Sequence, residues 1–435
     1  VKTCRLCRGE RFEEVLDLGR LPVAHALLSS PEEPVALVHP LALHVCLDCG
    51  LSQILDPVPP EKLYLDYNYC FSSWKPQPHG ADEAAMLSTG AMAGPVVEIA
   101  CNDGLFLDEL RRRGCADLVG VEPNPVAANE AERRGHRVYR SMLDAKLCRT
   151  LVGTHGLFKA VAARQVLEHV EDPHAFLACV ASLLEPGAEL LLDVPDSEPA
   201  FSMGDASCMW EEHITYFTRR TLRALLEANG FGLVEERNFN FSGTALTVLA
   251  RKNSTTPGHE SGEALGRADV LSSGSGSGSA HASYSDPESV ALARQFGTRA
   301  ALYAARLKAL LARAKEKGAA VALYGAGCRG ATLLGGFDLA GLVEAVIDDQ
   351  PQRQGKFMPY GAVPILPLDW LRQRGGRSLV LLAVNNENEA TVQARLAETL
   401  QTPYVSLSVL SPADFHAALD RAEVAVEAWQ KDRPS

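Results

Sequence analysis

The sequence predicts an α/β protein of more than one domain. Strand-length apolar runs alternate with helical runs in two separate regions, and a Ser/Gly-rich segment divides them. Paired CxxC turns near the N-terminus add a small metal-ordered module in front. Length agrees, since 435 residues exceed what one hydrophobic core ordinarily organises. The expected divisions are a zinc module with an aromatic loop (1–75), a cofactor-binding α/β domain (76–252), a flexible connector (253–286) and a second α/β unit with a leading helix (287–435).

The first module reads Cys4-Arg5-Leu6-Cys7 and, after a proline-containing stretch, Cys46-Leu47-Asp48-Cys49-Gly50. Each CxxC turn points two sulfurs to one side, so the pair supplies the four thiolates that tetrahedral zinc prefers. The long interval between them costs little, because closure entropy grows slowly with loop length. A closed Cys4 site leaves no open position for substrate, so the metal is expected to be structural; redox or unligated cysteines are the alternative. Few long periodic runs accompany the knuckles, which suggests a module folding around its metal. Next comes Asp66-Tyr67-Asn68-Tyr69-Cys70-Phe71-Ser72-Ser73-Trp74, either a substrate-binding loop or aromatics stapling the module to its neighbour.

In the second region, Val96-Val97-Glu98-Ile99-Ala100-Cys101-Asn102-Asp103-Gly104 reads as a buried strand breaking into a small-residue turn before a helix. One βα unit later, Asp117-Leu118-Val119-Gly120-Val121-Glu122-Pro123-Asn124 ends a strand in an acid, the position from which a carboxylate bonds ribose hydroxyls. The dinucleotide glycine fingerprint is missing here, which favours a cofactor without a pyrophosphate. Strands at 158–164 and 189–194, helices near 175–184 and 220–229, and a closing hairpin of 231–238 with 244–251 complete a mostly parallel seven-stranded sheet with a reversed edge.

Beyond the run Ser272-Ser273-Gly274-Ser275-Gly276-Ser277-Gly278-Ser279, a helix over 287–317 leads into Val321-Ala322-Leu323-Tyr324-Gly325-Ala326-Gly327-Cys328-Arg329-Gly330, with Asp348 and Asp349 ending the next strand. This GxGxxG turn suits NAD, or it uses its glycines for packing in a domain that takes a phosphate-bearing substrate.

Composition excludes other classes. A net charge of −12 offers no basic surface for nucleic acid, and no apolar run approaches the roughly 20 residues of a membrane helix. With no signal-peptide pattern, a cytoplasmic location with reduced cysteines is expected. The partner is then a small molecule; oligomeric state is not readable.

Glu98-Ile99-Ala100-Cys101-Asn102-Asp103-Gly104, Val121-Glu122-Pro123 and Val166-Leu167-Glu168-His169-Val170 resemble class I S-adenosylmethionine (SAM)-dependent methyltransferases. With the CxxC pair and the C-terminal Rossmann-like unit, nearly the whole chain resembles the sugar C-methyltransferases of deoxysugar biosynthesis, which methylate a carbon of a nucleotide-linked keto sugar. The resemblance implies SAM bound through Glu98, Ala100, Asn102, Asp103, Gly104, Glu122, Pro123 and Gln165. It implies zinc on Cys4, Cys7, Cys46 and Cys49. Substrate contacts would come from Tyr67, Asn68, Tyr69, Phe71, Trp210, Ser242, Tyr324, Gly325, Gly327 and Asn385. The family's histidine and Glu-His pair fall on His169 and Glu212-His213, inside Trp210-Glu211-Glu212-His213-Ile214-Thr215-Tyr216-Phe217-Thr218.

Carbon is a poor nucleophile until a proton beside a carbonyl is removed, so this chemistry needs a base. His213 is the candidate, with His169 or nearby donors stabilising the oxyanion and Glu212 tuning the imidazole. Four positions depart from the family: Trp210 and Asn68 replace tyrosines, Phe241-Ser242-Gly243 replaces His-Gly-Gly, and Ala383-Val384-Asn385 replaces Ala-Trp-Asn. An O- or N-methyltransferase, or a non-catalytic scaffold, remains the alternative.

Overall fold

The computed structural model describes residues 2–63, 77–254, 285–410 and 414–429. The aromatic loop, with Tyr67, Asn68, Tyr69 and Phe71, and nearly all of the Ser/Gly connector lie outside the described residues.

Three sheets organise the chain. The first joins β1 (Phe12–Pro22), β2 (Val38–Cys46) and β3 (Ser52–Ile54) as an antiparallel sheet. Sequence reading found few periodic runs here, because two register shifts, between Glu14 and Leu16 and between Asp17 and Arg20, break the alternation of β1.

The second sheet contains β4 (Val96–Ile99), β5 (Leu118–Val121), β6 (Arg137–Tyr139), β7 (Phe158–Arg164) and β8 (Leu184–Pro195). A short β9 (Thr215–Tyr216) leaves this domain to pair antiparallel with β3, so that the first sheet has the order β1-β2-β3-β9. The hairpin β10 (Phe231–Phe239) and β11 (Ala245–Lys252) then completes a seven-stranded order β10-β11-β8-β7-β4-β5-β6. The expected reversed edge is corrected: β11 inserts between β8 and β10 and runs antiparallel to both, so the reversed strand lies one place in from the edge. Ala, Val and Leu fill β4, β7 and β8 without alternation because helices cover both faces.

The third sheet is wholly parallel: β12 (Ala320–Tyr324), β13 (Ala345–Ile347), β14 (Ile365–Leu366), β15 (Ser378–Leu382) and β16 (Tyr404–Ser408), ordered β14-β13-β12-β15-β16. The helix Pro287–Glu316 buries Phe296, Ala300, Tyr303, Leu307, Leu310 and Ala314 at three- and four-residue spacing. That stripe joins Leu18, Leu41 and Leu43 of the first sheet and Leu323 and Val346 of the third in one apolar core. At about 1.5–3 kcal/mol per fully buried large apolar side chain, this shared core ties the N-terminal and C-terminal units together.

Candidate active site

In the second sheet, β5 and β7 leave β4 in opposite directions, so a crevice opens at the C-terminal end of β4. The backbone there is bent into uncommon conformations: Ala100, Asn102 and Gln165 have φ of 56°, 48° and 52°, and Ser242 has 51°. All four were singled out from the sequence, and non-glycine residues held at positive φ concentrate at binding sites. Gly104 closes the loop at φ 80°, where an added Cβ would lie 2.8 Å from the His136 ring. Glu122 is buried beyond β5 and accepts the Asn102 N–H at 2.9 Å and the Asn124 N–H at 2.8 Å. Burial raises its pKa while those two donors oppose the rise. Its carboxylate thereby couples the two loops that would flank a nucleoside; Pro123 beside it is exposed. Asp103 is fully buried, and its N–H bonds the Asn102 side chain at 2.9 Å.

Glu98 is not at the loop surface but beneath it. It lies 3.8 Å from the buried guanidinium of Arg164, which also donates to Glu83 at 2.7 Å and stacks over Phe106 at 4.4 Å. Burial pushes Glu98 well above the usual carboxylate range, with Arg164 opposing. Asp193 completes this layer, accepting from Gln165 at 3.1 Å, and Thr247 donates to Glu83 at 2.8 Å. Replacing Arg164 with Met leaves buried acids without their cation, and the expected loss is about 3–5 kcal/mol. A calorimetric scan should show a lowered transition for the middle domain, and an unchanged transition contradicts the reading.

The Trp210–Thr218 segment crosses from this domain to the N-terminal sheet. Its turn before β9 brings His213 against Trp210, ring centroids 3.8 Å apart, and edge-on to His169 at 4.9 Å. Neither His213 ring nitrogen hydrogen-bonds any described residue; Nε2 lies 3.9 Å from Glu168 Oε1, which is also 3.6 Å from His169 Nε2. Burial, then the neighbouring His169 and Arg329, lowers the His213 pKa well below the ordinary imidazole value. Burial lowers that of His169 and raises that of Glu168 well above the carboxylate range. Burial therefore disfavours charge on both imidazoles and on the carboxyl between them. No sequence pattern marks Glu168, because the short 3-10 turn Leu167–His169 that turns it inward leaves no periodic signature.

Glu212 makes no direct bond to His213. Its Oε1 pairs with His25 Nε2 of the N-terminal module at 2.8 Å, and Glu211 accepts the Ala24 N–H at 2.7 Å. Burial raises the Glu211 pKa to about 7.

From the third sheet, Arg329 reaches the same place. It donates to the Ser242 carbonyl, to Ser207 Oγ at 3.3 Å and to Asn385 Oδ1 at 3.3 Å, and lies over the Trp210 ring at 5.7 Å. Trp210, His213, Tyr216, Ser242 and Arg329 border one pocket. Arg329 occupies a free position of the GxGxxG pattern, so the sequence alone does not mark it. Tyr324, expected at the substrate, is corrected: it is buried in the apolar core on another face and donates to Asp349 at 2.9 Å. Gly325 (φ 114°) and Gly327 do not border the pocket either. A Cβ on Gly325 would meet the Ala383 carbonyl at 2.8 Å, and Asp348 accepts the loop's own Ala326 N–H at 2.9 Å. Acid and loop thus bond each other, which favours packing over a dinucleotide.

The four N-terminal cysteines cluster with their sulfurs within 4.8 Å of one another. Cys4 to Cys49 is 3.5 Å and Cys7 to Cys46 is 3.6 Å. Tetrahedral zinc with bonds of about 2.3 Å places sulfurs about 3.8 Å apart, so the set fits that ion. The N–H groups of Leu6 and Gly9 point at Cys4 and Cys7 from 3.4 Å, as thiolates require.

Sheet order and switch-point crevice define a class I SAM-dependent methyltransferase, a class in which the protein supplies the cleft and SAM the methyl group. Comparison extends this to the whole chain. Residues 81–236 match a methyltransferase domain, 4–64 a zinc binding domain and 284–405 a C-methyltransferase C-terminal domain. C-methyltransferase NovU of Streptomyces niveus is 26% identical over 371 residues, 84% of this chain and 85% of that protein. The human mitochondrial ubiquinone biosynthesis O-methyltransferase is 26% identical over 158 residues, 32% of this chain and 41% of its own. A solved SAM-dependent methyltransferase from Mesorhizobium loti, 16% identical, covers 39% of this chain and 96% of its own with a TM-score of 0.31; the fold assignment rests on the strand order instead. The chain is similar to C-methyltransferases over most of its length and is a SAM-dependent methyltransferase.

SAM binding should depend on Glu122. Replacing it with Ala removes an acceptor for ribose hydroxyls and unpairs two backbone N–H groups, and a weakening of about 1–3 kcal/mol is expected. Calorimetric titration with SAM checks this; unchanged affinity moves the ribose site elsewhere. Among the described residues, no helix is long and apolar enough to cross a membrane.

Proposed function

We propose that this enzyme methylates a carbon next to a carbonyl, in a nucleotide-linked keto-deoxysugar, with His213 as the base. The observation that carries the reading is the His213 imidazole, buried, neutral and without a hydrogen-bond partner among the described residues, at the wall of a pocket shared by two domains. NovU, similar over most of the chain, is named as a C-methyltransferase, and the C-terminal match carries the same description. The chain's proposed domain limits are 1–75, 76–252, 253–286 and 287–435.

SAM, bound at the β4–β5 end through Glu122 and the loop from Ala100 to Gly104, supplies an electrophilic methyl group on sulfur. His213 takes the proton from the substrate carbon. Glu168 lies between Nε2 of His213 and Nε2 of His169, where burial disfavours charge on all three groups. His169, whose one N–H goes to the Glu212 carbonyl, packs edge-on to His213 and holds that ring in place. Arg329, a cation in the pocket wall, faces the negative charge of the substrate's phosphates, and Trp210 and Ser242 shape the space around it. Cys4, Cys7, Cys46 and Cys49 hold zinc outside this chemistry.

The test is the position of the new methyl group. Incubation with methyl-13C-labelled SAM and nucleoside-diphosphate-linked keto-deoxysugars, followed by carbon NMR of the product, should place the label on carbon. Label on oxygen or nitrogen replaces this reading with heteroatom transfer, the chemistry of the O-methyltransferase similar to the middle domain alone.

A further inference from the structure

The two carboxylates before His213 face the N-terminal module, and each grips one residue of the same turn. Glu211 takes the Ala24 N–H and Glu212 takes the His25 ring. Both carboxylates are buried, at 4% and 5% exposure, whereas the His25 side chain is 36% exposed. We infer that His25 is a positioning residue for methyl transfer, acting through Glu212 to fix the place and charge of the His169–His213 pair. The inference rests on the proposed role of His213.

Two links support it. The Glu212 backbone carbonyl accepts from His169 and its carboxylate favours the charged form of that ring, so whatever holds Glu212 also holds His169. His169 in turn packs edge-on to His213. The charged groups facing His25 are Glu212 and Glu211 from the middle domain and Arg353 from the C-terminal domain. Burial and Arg353 oppose a charge on His25, but the hydrogen bond and charge of Glu212, with Glu211, outweigh them and raise its pKa above the ordinary value. Burial opposes the charge on Glu212, and His25 more than offsets it, so Glu212 stays ionised. Each member of the pair thus favours the charged form of the other. As pH rises through the raised His25 pKa, the cation is lost and the buried Glu212 anion faces at most a neutral donor.

The experiment compares wild type, His25→Gln and Glu212→Gln, full-length, with SAM and a keto-deoxysugar nucleotide that wild type methylates. His25→Gln keeps a donor for Glu212 without the charge. Both variants should lose at least about tenfold in kcat, with KM for SAM within twofold, because a displaced catalytic group costs rate rather than cofactor binding. The alkaline fall of kcat in wild type should vanish in His25→Gln. Imidazole titration by 15N NMR, with S-adenosylhomocysteine and no sugar present, should move the His169 transition to lower pH in Glu212→Gln. Wild-type kcat and pH profile in His25→Gln overturn the inference while leaving the base assignment intact. An unmoved His169 transition overturns it as well. Failure of wild type to methylate or exchange any keto sugar sinks the underlying reading instead.

Discussion

Replacing His213 with Asn should lower kcat by about 10²–10⁴-fold, the range of general-base catalysis, with SAM affinity near wild type. Asparagine keeps the polarity and roughly the volume beside Trp210, so the pocket survives while the proton acceptor does not. The pH profile carries the same signature. The His213 pKa is lowered, chiefly by burial, so the neutral base persists as pH falls past 6.5 and is protonated only below it. The limb of kcat/KM that this group governs should therefore lie below pH 6.5. A loss of less than tenfold in His213→Asn, or a His213-dependent limb at pH 7 or above, removes it from the base role.

Removal of zinc should be the larger structural effect. One equivalent is expected per chain, and structural zinc in small modules contributes about 10–16 kcal/mol of apparent binding free energy. The metal is distant from chemistry in role but not in consequence. Arg5, inside the first knuckle, is buried and donates to the Ile54 carbonyl at 2.8 Å and the Ile214 carbonyl at 3.1 Å. Ile214 follows His213 directly, and β3 pairs with β9 at Ser52–Tyr216 and Gln53–Thr215. Unfolding the knuckle withdraws both supports from the catalytic segment. Chelation should abolish turnover, lower the thermal transition and leave SAM binding measurable, since Glu122 and the loop from Ala100 to Gly104 are held by hydrogen bonds within the middle domain; zinc should restore activity. Elemental analysis giving less than half an equivalent of zinc contradicts the site.

The loop after β4 and the acid after β5 are legible as local structure, because short signals specify them. A strand end and a small-residue turn need only a dozen neighbouring positions, and Ala100, Asn102 and Gly104 form a positive-φ turn with Glu122 buried beyond β5. The CxxC spacing worked for the same reason. What was lost depends on pairing across the chain. His25 meets Glu212 at a sequence separation of 187, and Arg329 meets Ser242 and Ser207 at separations of 87 and 122, by contacts no local pattern encodes. Glu212 was assigned to its sequence neighbour because adjacency is visible and side-chain direction is not. The reversed strand was misplaced similarly: a hairpin fixes that β10 and β11 pair, but not which of them meets β8. Tyr324 looked available beside a glycine turn, although its place at the end of a fully buried strand sends its ring into the core.

The central claim is that His213 removes a proton from carbon, and exchange measures that step without methyl transfer. Wild type is incubated in deuterated water with a keto-deoxysugar nucleotide that it methylates and with S-adenosylhomocysteine in place of SAM. Deuterium should enter the position next to the carbonyl, and His213→Asn should lose that exchange along with turnover. Exchange at near wild-type rate in the variant contradicts the account and makes His169 the next candidate for the base.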